Sequence, residues 1–98
     1  KSINFGKGIT YVKDDVCRLA VPPIFKAIQE IRGIDDYHMY QTFNMGIGME
    51  VVVKTSIDAE KVIQYANKYG IRAYVTGHTE ASTDGINRVK IGTSIYTK

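Results

Sequence analysis

Tryptophan is absent from these 98 residues, cysteine occurs once, at Cys17, and proline only as the adjacent pair Pro22-Pro23. A single thiol cannot close an internal disulfide, and with only two widely separated histidines, His38 and His78, there is no metal-ligand spacing. A reducing, cytoplasmic setting is therefore expected, with Cys17 a small core or surface residue. No apolar run approaches the ~20 residues that a membrane-spanning helix needs, and the start carries no signal-peptide pattern. Ser-His-Asp order, a Walker loop and a Cys-x-x-Cys pair are all missing, as are internal repeats and low-complexity linkers. The net charge of +3 is mild, and the basic residues are scattered among acids, which predicts solubility rather than nucleic-acid binding. It would also suit a small anionic substrate. With 44% hydrophobic and 23% charged residues the chain can hold one modest core. It opens at Lys1 without a methionine, so residues 1–98 are expected to be a single domain or a fragment of a larger protein.

The most informative stretch is Met39-Tyr40-Gln41-Thr42-Phe43-Asn44-Met45-Gly46-Ile47-Gly48-Met49. Tyr37, Tyr40 and Phe43 fall three apart, as on one side of a helical turn that Asp35 or Asp36 can cap. That helix cannot pass Gly46. Gly46 and Gly48 permit torsions closed to other residues and remove Cβ atoms that would hold a ligand off, so their amides are expected to be approachable. From Met49 the run Met-Glu-Val-Val-Val predicts a strand to about Lys54, which places the corner at a strand mouth. Two readings stay open: the glycines relieve a tight bend, or they face a ligand.

The remaining elements follow in order. Residues 1–8 have no period and read as a loop or an edge of a larger domain. Ile9–Lys13 predicts a strand ending at Asp14-Asp15, a solvated turn in preference to a metal pair, since no third ligand is near. Pro22-Pro23 open a helix with Ile24, Phe25, Ala27, Ile28 and Ile31 as its buried stripe and Gly33 as its end. Thr55-Ser56 cap a second, with Asp58 and Glu60 early in it and Ala59, Val62, Ile63, Ala66 and Tyr69 as its apolar face, closed by Gly70. Ile71–Thr79 then predicts a strand, giving strand, helix, strand as a crossover unit. Asp84-Gly85 predicts a turn that returns Asn87–Ile91 as a hairpin strand, although the loop is longer than a tight hairpin requires. Thr93–Lys98 adds an edge strand or frays. The expected fold class is α+β, three to five strands in a mixed or antiparallel sheet with helices mainly on one face. Tyr37, Tyr40, Tyr65 and Tyr69 are expected at the core edge, and neither histidine is assigned as a base.

Three motifs occur together: Val21-Pro22-Pro23-Ile24-Phe25-Lys26, the Met39–Met49 stretch, and Ala73-Tyr74-Val75-Thr76-Gly77. In this order they resemble the C-terminal portion of aminoimidazole ribonucleotide synthetase (phosphoribosylformylglycinamidine cyclo-ligase), whose signatures are Pro-Pro-Ile-Phe, Met-Tyr-Arg-Thr-Phe-Asn-Met-Gly-Ile-Gly-Met and Ala-Trp-Val-Ile-Gly. Gln41, Tyr74 and Thr76 depart from that pattern. The resemblance implies an ATP-dependent ring closure of formylglycinamidine ribonucleotide to aminoimidazole ribonucleotide in purine biosynthesis. It implies a homodimer when full length, and ATP and Mg²⁺ held mainly by an N-terminal half that is not in these residues. It also implies that the corner lies at the cleft between the halves, with Thr42 and Asn44 orienting substrate and the Gly46 and Gly48 amides meeting an oxyanion or phosphate. On its residues alone, Asn44 is also readable as a left-handed helix cap. No catalytic or metal residue is assigned. The alternatives are the matching domain of a sister synthetase or kinase, and a free-standing regulatory module for a small metabolite.

Overall fold

A computed structural model describes residues 2–14 and 20–98. Asp15 and Cys17 lie outside the described residues, so the turn and core readings made for them are not addressed by the fold. Four strands, β1 (Ile9–Lys13), β2 (Gly77–Ala81), β3 (Arg88–Ile91) and β4 (Ser94–Thr97), make one mixed sheet in the order β2-β1-β3-β4. β1 runs antiparallel to β2 and parallel to β3, and β3 runs antiparallel to β4. Three α-helices join them, α1 (Pro23–Arg32), α2 (Asp36–Thr42) and α3 (Ser56–Lys68). The architecture is α+β, as the sequence predicts, with β1 and β4 where they are expected.

β1 is central because it carries the residues that can be buried and satisfied at once. Tyr11 and Val89, opposite each other across the parallel ladder, are both buried. The Tyr11 phenol donates to the Phe5 carbonyl at 2.8 Å, and the buried Thr10 hydroxyl shares a 2.7 Å hydrogen bond with that of Ser82. Such pairing removes the cost of burying polar atoms, about 1–3 kcal/mol for each one left unsatisfied.

Asn87 organises the approach to this sheet. Its Oδ1 accepts from the Ile9 amide at 3.0 Å, and its Nδ2 donates among the carbonyls of Ile3, Phe5 and Gly6 at 3.0–3.1 Å. The hairpin expected between the 71–79 segment and Asn87–Ile91 does not form, because β1 lies between β2 and β3. Ser82–Asn87 must therefore cross two strand spacings, about 9.5 Å. This is why that loop exceeds the length of a tight hairpin. Asn87 fastens its far end to β1 just before β3 begins. By contrast β3 and β4 are joined by two residues, with Gly92 at φ 58°, as tight antiparallel turns require.

Two further expectations are corrected. Met49–Lys54 forms no strand among the described residues, and Met49 is 81% exposed. β-branched residues favour a strand only where a pleated neighbour receives them, and among the described residues no strand neighbours this run. The 71–79 segment enters the sheet only from Gly77, after the Thr76 carbonyl has accepted from the Asp14 amide at 2.7 Å. The predicted crossover around α3 is thus absent, and the parallel pair is instead β1 with β3.

The helix boundaries follow their local chemistry. Pro23 occupies the first turn of α1 and Gly33, at φ 62°, ends it. The Thr55 hydroxyl accepts from the Asp58 amide at 3.1 Å to start α3, and Asp35 does the same for α2. The predicted stripes are only partly covered. In α1, Phe25 and Ile28 are half-buried while Ile24, Ala27 and Ile31 are exposed, and in α3 Val62 and Tyr69 are exposed, Tyr69 lying just past the helix end. α1 meets α2 and the corner at single side chains: the Phe25 and Phe43 rings lie 5.9 Å apart, and Gln29 donates to Asp36 at 2.8 Å. α2 reaches the sheet through Tyr37, stacked at 4.5 Å on Tyr96 of β4. The result is a slab of 41 × 40 × 18 Å whose radius of gyration, 14.5 Å, exceeds the ~13 Å of a compact domain this long.

Asp84 accepts from both the Arg88 guanidinium and the Ile86 amide, and the guanidinium above all holds its carboxyl well below the usual carboxylate range. Asp35 is also lowered, first by the His38 amide and then by its imidazole. A carboxylate with a depressed folded pKa stabilises above its unfolded value, near pH 4, and loses that contribution as pH falls through the folded value. The melting temperature is expected to decline below about pH 4, and more shallowly in Asp84→Asn. Thermal scans from pH 6 to pH 2 check this, and superimposable acid limbs for the two proteins would remove Asp84 from the linkage.

Candidate substrate-binding corner

The corner is built by α2 and what stops it. Asp35 Oδ1 accepts from the His38 amide at 2.9 Å to begin the helix, and the Phe43 amide donates to the Met39 carbonyl at 2.9 Å to finish it. Met39 is the one large side chain among the described residues that is fully buried. Burial of this kind is worth about 1.5–3 kcal/mol and pins the helix end to the body. Phe43, packed on Phe25, then leaves the helix in extended conformation.

Asn44, Met45, Gly46 and Ile47 form a tight turn. The Ile47 amide donates to the Asn44 carbonyl at 3.1 Å, and both central residues have positive φ, Met45 at 53° and Gly46 at 96°. This is the I′ pattern, normally made by Asn-Gly or Gly-Gly pairs. A side chain at Met45 costs about 1–3 kcal/mol in that region, and the buried Met45 side chain offsets it. Met45 is the only non-glycine residue with positive φ among the described residues. The Asn44 carboxamide accepts from the Gly46 amide at 2.9 Å. Asn44 is therefore not a left-handed cap; its side-chain oxygen braces the turn while its Nδ2 is left without an acceptor among the described residues.

The two glycines prove to be different. A Cβ on Gly46 would sit 2.9 Å from Pro22 Cγ and closer still to Cδ, so Gly46 is required by both torsion and packing, and its amide is already engaged. Gly48 has no positive φ and would meet nothing within 4 Å. Its amide donates to no acceptor among the described residues. Thr42, the last residue of α2, is exposed with its hydroxyl likewise free. The four expected residues thus fall within one short segment: Thr42, Asn44 and Gly48 offer unengaged donors, and Gly46 shapes the turn. No strand follows among the described residues; the chain instead crosses the end of β1, where Glu50 pairs with Lys13 and accepts from the Ser2 hydroxyl at 3.2 Å. Met45, the strained residue, and Pro22, the seat of Gly46, also belong to the corner; both lie in sequence motifs, but nothing local ties Pro22 to Gly46.

Neutral donors without a charged base suit holding an oxyanion or phosphate in place. His38 and His78 are spent on Asp35 and Glu80 at the surface, 2.6 and 2.8 Å away. Among the described residues no group of three His, Cys, Asp or Glu side chains could hold a metal ion, so these residues by themselves do not fit Mg²⁺ and no step is assigned through it. No helix among them is long and apolar enough to cross a membrane.

The sequence that builds this slab and its corner matches a known class of domain. The family described as AIR synthase related protein, C-terminal domain, matches residues 6–90, and the chain belongs to it. The phosphoribosylformylglycinamidine cyclo-ligase of Clostridium novyi (strain NT) is 48% identical over 66 residues, covering 67% of this chain and 19% of that protein. That of Methanococcus maripaludis (strain C6) is 42% identical over 78 residues, covering 80% and 22%. That of Methanocaldococcus jannaschii is 49% identical over 69 residues, covering 70% and 19%. The chain spans about a fifth of the length of these relatives.

Proposed function

We propose that the chain is the C-terminal part of a phosphoribosylformylglycinamidine cyclo-ligase, a cytoplasmic enzyme of purine biosynthesis, and that the corner holds its anionic substrate. The observation that carries the site is Gly48: neither torsion nor packing within the chain requires a glycine there, so the space it leaves suits a group approaching from outside. In this reading the formyl amide oxygen of formylglycinamidine ribonucleotide takes the terminal phosphoryl group of ATP, a nitrogen of the substrate attacks the formyl carbon, and phosphate departs with ADP as the other product. The Gly48 amide meets the substrate oxyanion or phosphate, and Thr42 and Asn44 Nδ2 fix its orientation. ATP and Mg²⁺ are held mainly by the N-terminal domain, which is also the chief partner and the source of homodimer contacts. The exposed apolar residues Ile31, Met49, Val52, Ile71 and Tyr69 are consistent with a surface that such a domain covers.

On this reading the chain is inactive alone. ADP release with formylglycinamidine ribonucleotide, ATP and Mg²⁺ is expected only when the chain is mixed with a separately produced N-terminal portion. Absence of turnover from a folded, associated mixture would point to a sister reaction or a regulatory module.

A further inference from the structure

Gly48 stands in the chain midway between two anchors. Two residues before it, Gly46 is seated against Pro22 and its amide is held by the Asn44 carboxamide. Two residues after it, Glu50 pairs with Lys13 through one carboxylate oxygen and accepts from the Ser2 hydroxyl through the other. Two residues of chain span at most about 7 Å, so Gly48 cannot travel far while both anchors hold.

The second anchor is the one on which the exit of the corner depends. Among the described residues, no backbone group of residues 48–53 makes a hydrogen bond, and the two Glu50 contacts are the only polar ties of that run. Met49, Val51 and Val52 on either side of Glu50 are exposed. A segment with so few ties has little local stability of its own. Its seat, by contrast, is firm. Lys13 ends β1, its backbone lies opposite Gly77 on one side and Ile91 on the other, and its side chain is only 13% exposed. Ser2 belongs to a short 3-10 helix, Ser2–Asn4, whose Ile3 carbonyl accepts from Asn87. Solvent and salt screen a pair placed this way less than one at the open surface.

We infer that Glu50 and Lys13 are positioning residues for the corner: their ion pair fixes the exit of the turn, so that the Gly48 amide is in place before the substrate anion arrives. The inference rests on the reading of the corner as an anion site. Removing Glu50 then has two effects of opposite sign. As charge alone, deleting a carboxylate close to an anion site and leaving the Lys13 ammonium behind strengthens anion binding. Releasing the tether weakens it, because the substrate must order the segment as it binds. The direction of the change therefore separates positioning from electrostatics.

Glu50 lies outside every helix and strand, so Glu50→Ala leaves the fold in place, and Glu50→Gln keeps an acceptor for Lys13 as the conservative control. Two measurements test the inference. In the ¹⁵N-labelled full chain, the heteronuclear NOE is expected to fall at Gly48, Met49 and Val51 in Glu50→Ala and to stay at the parent value at Gly46. In the chain complemented with its N-terminal portion, the KM for formylglycinamidine ribonucleotide should rise roughly tenfold in Glu50→Ala, the cost of ordering about one residue on binding, with the KM for ATP unchanged. Glu50→Gln should restore both readouts to near the parent. An unchanged NOE profile in Glu50→Ala would overturn the tether itself. A lowered substrate KM would assign the influence of Glu50 to its charge and overturn the positioning role. A fallen NOE with an unchanged substrate KM would leave the tether standing and overturn the corner as the place where substrate binds.

Discussion

Replacing Gly77 with alanine is expected to lower the melting temperature by on the order of 10 °C, although the change adds a single methyl group. The added Cβ would stand 2.9 Å from the Val12 carbonyl carbon, 3.1 Å from Lys13 Cα, and closer still to the Val12 oxygen. All three are backbone atoms of β1, the strand paired on both sides, so none can swing away as a side-chain tip would. Relief requires β2 to move off β1 at the register point where Lys13 faces Gly77. Overpacking of this type costs about 1–3 kcal/mol, sometimes more, and roughly 4–8 °C per kcal/mol applies to a domain of this length. Gly48→Ala is the natural control, since its new methyl meets nothing within 4 Å. Thermal unfolding of the two variants side by side decides the matter: coincident curves would mean that β1 and β2 do not approach as closely as described.

Gly77 also shows where sequence reading stops. The Ala73–Gly77 motif is visible in the chain, but its glycine reads as one more position on an alternating strand. Its demand comes from Val12, sixty-five residues away in sequence, and no local pattern can express that. The same holds for Asn87, whose carboxamide joins Ile9 to the Ile3–Gly6 loop and lets β1 enter between β2 and β3. The long 82–87 loop was the available sign that no tight hairpin is made there.

Features set by nearest neighbours were legible. Pro23 and Gly33 bound α1, Asp35 and Thr55 cap their helices, and the Ile9–Lys13 run is β1. Features that need a partner were not: Met49–Lys54 has strand composition and, among the described residues, no strand beside it. The corner lies between these cases. Its turn was legible because Asn44 and Gly46 are close enough to bond each other, whereas the unequal roles of Gly46 and Gly48 depend on Pro22, over twenty residues earlier.

That inequality yields the sharpest functional prediction. In the chain complemented with its N-terminal portion, Gly46→Ala should lower stability and activity together, since its Cβ would collide with Pro22 at a φ that disfavours any side chain. Gly48→Ala should leave the melting temperature within about 1–2 °C of the parent, because neither torsion nor packing opposes the methyl. Its effect belongs on turnover. If the proposed contact is made, the methyl displaces the substrate's oxyanion or phosphate from the Gly48 amide, and a displacement of ~1 Å from the reacting geometry costs on the order of 100-fold in rate. Steady-state ADP release combined with thermal melts separates the two outcomes. Full activity with unchanged stability in Gly48→Ala would show that substrate does not approach that amide, and would leave the corner as a structural turn held by Asn44 and Pro22. Lost activity with unchanged stability, and with association to the N-terminal portion shown to be intact, is the pattern expected of a site facing a ligand.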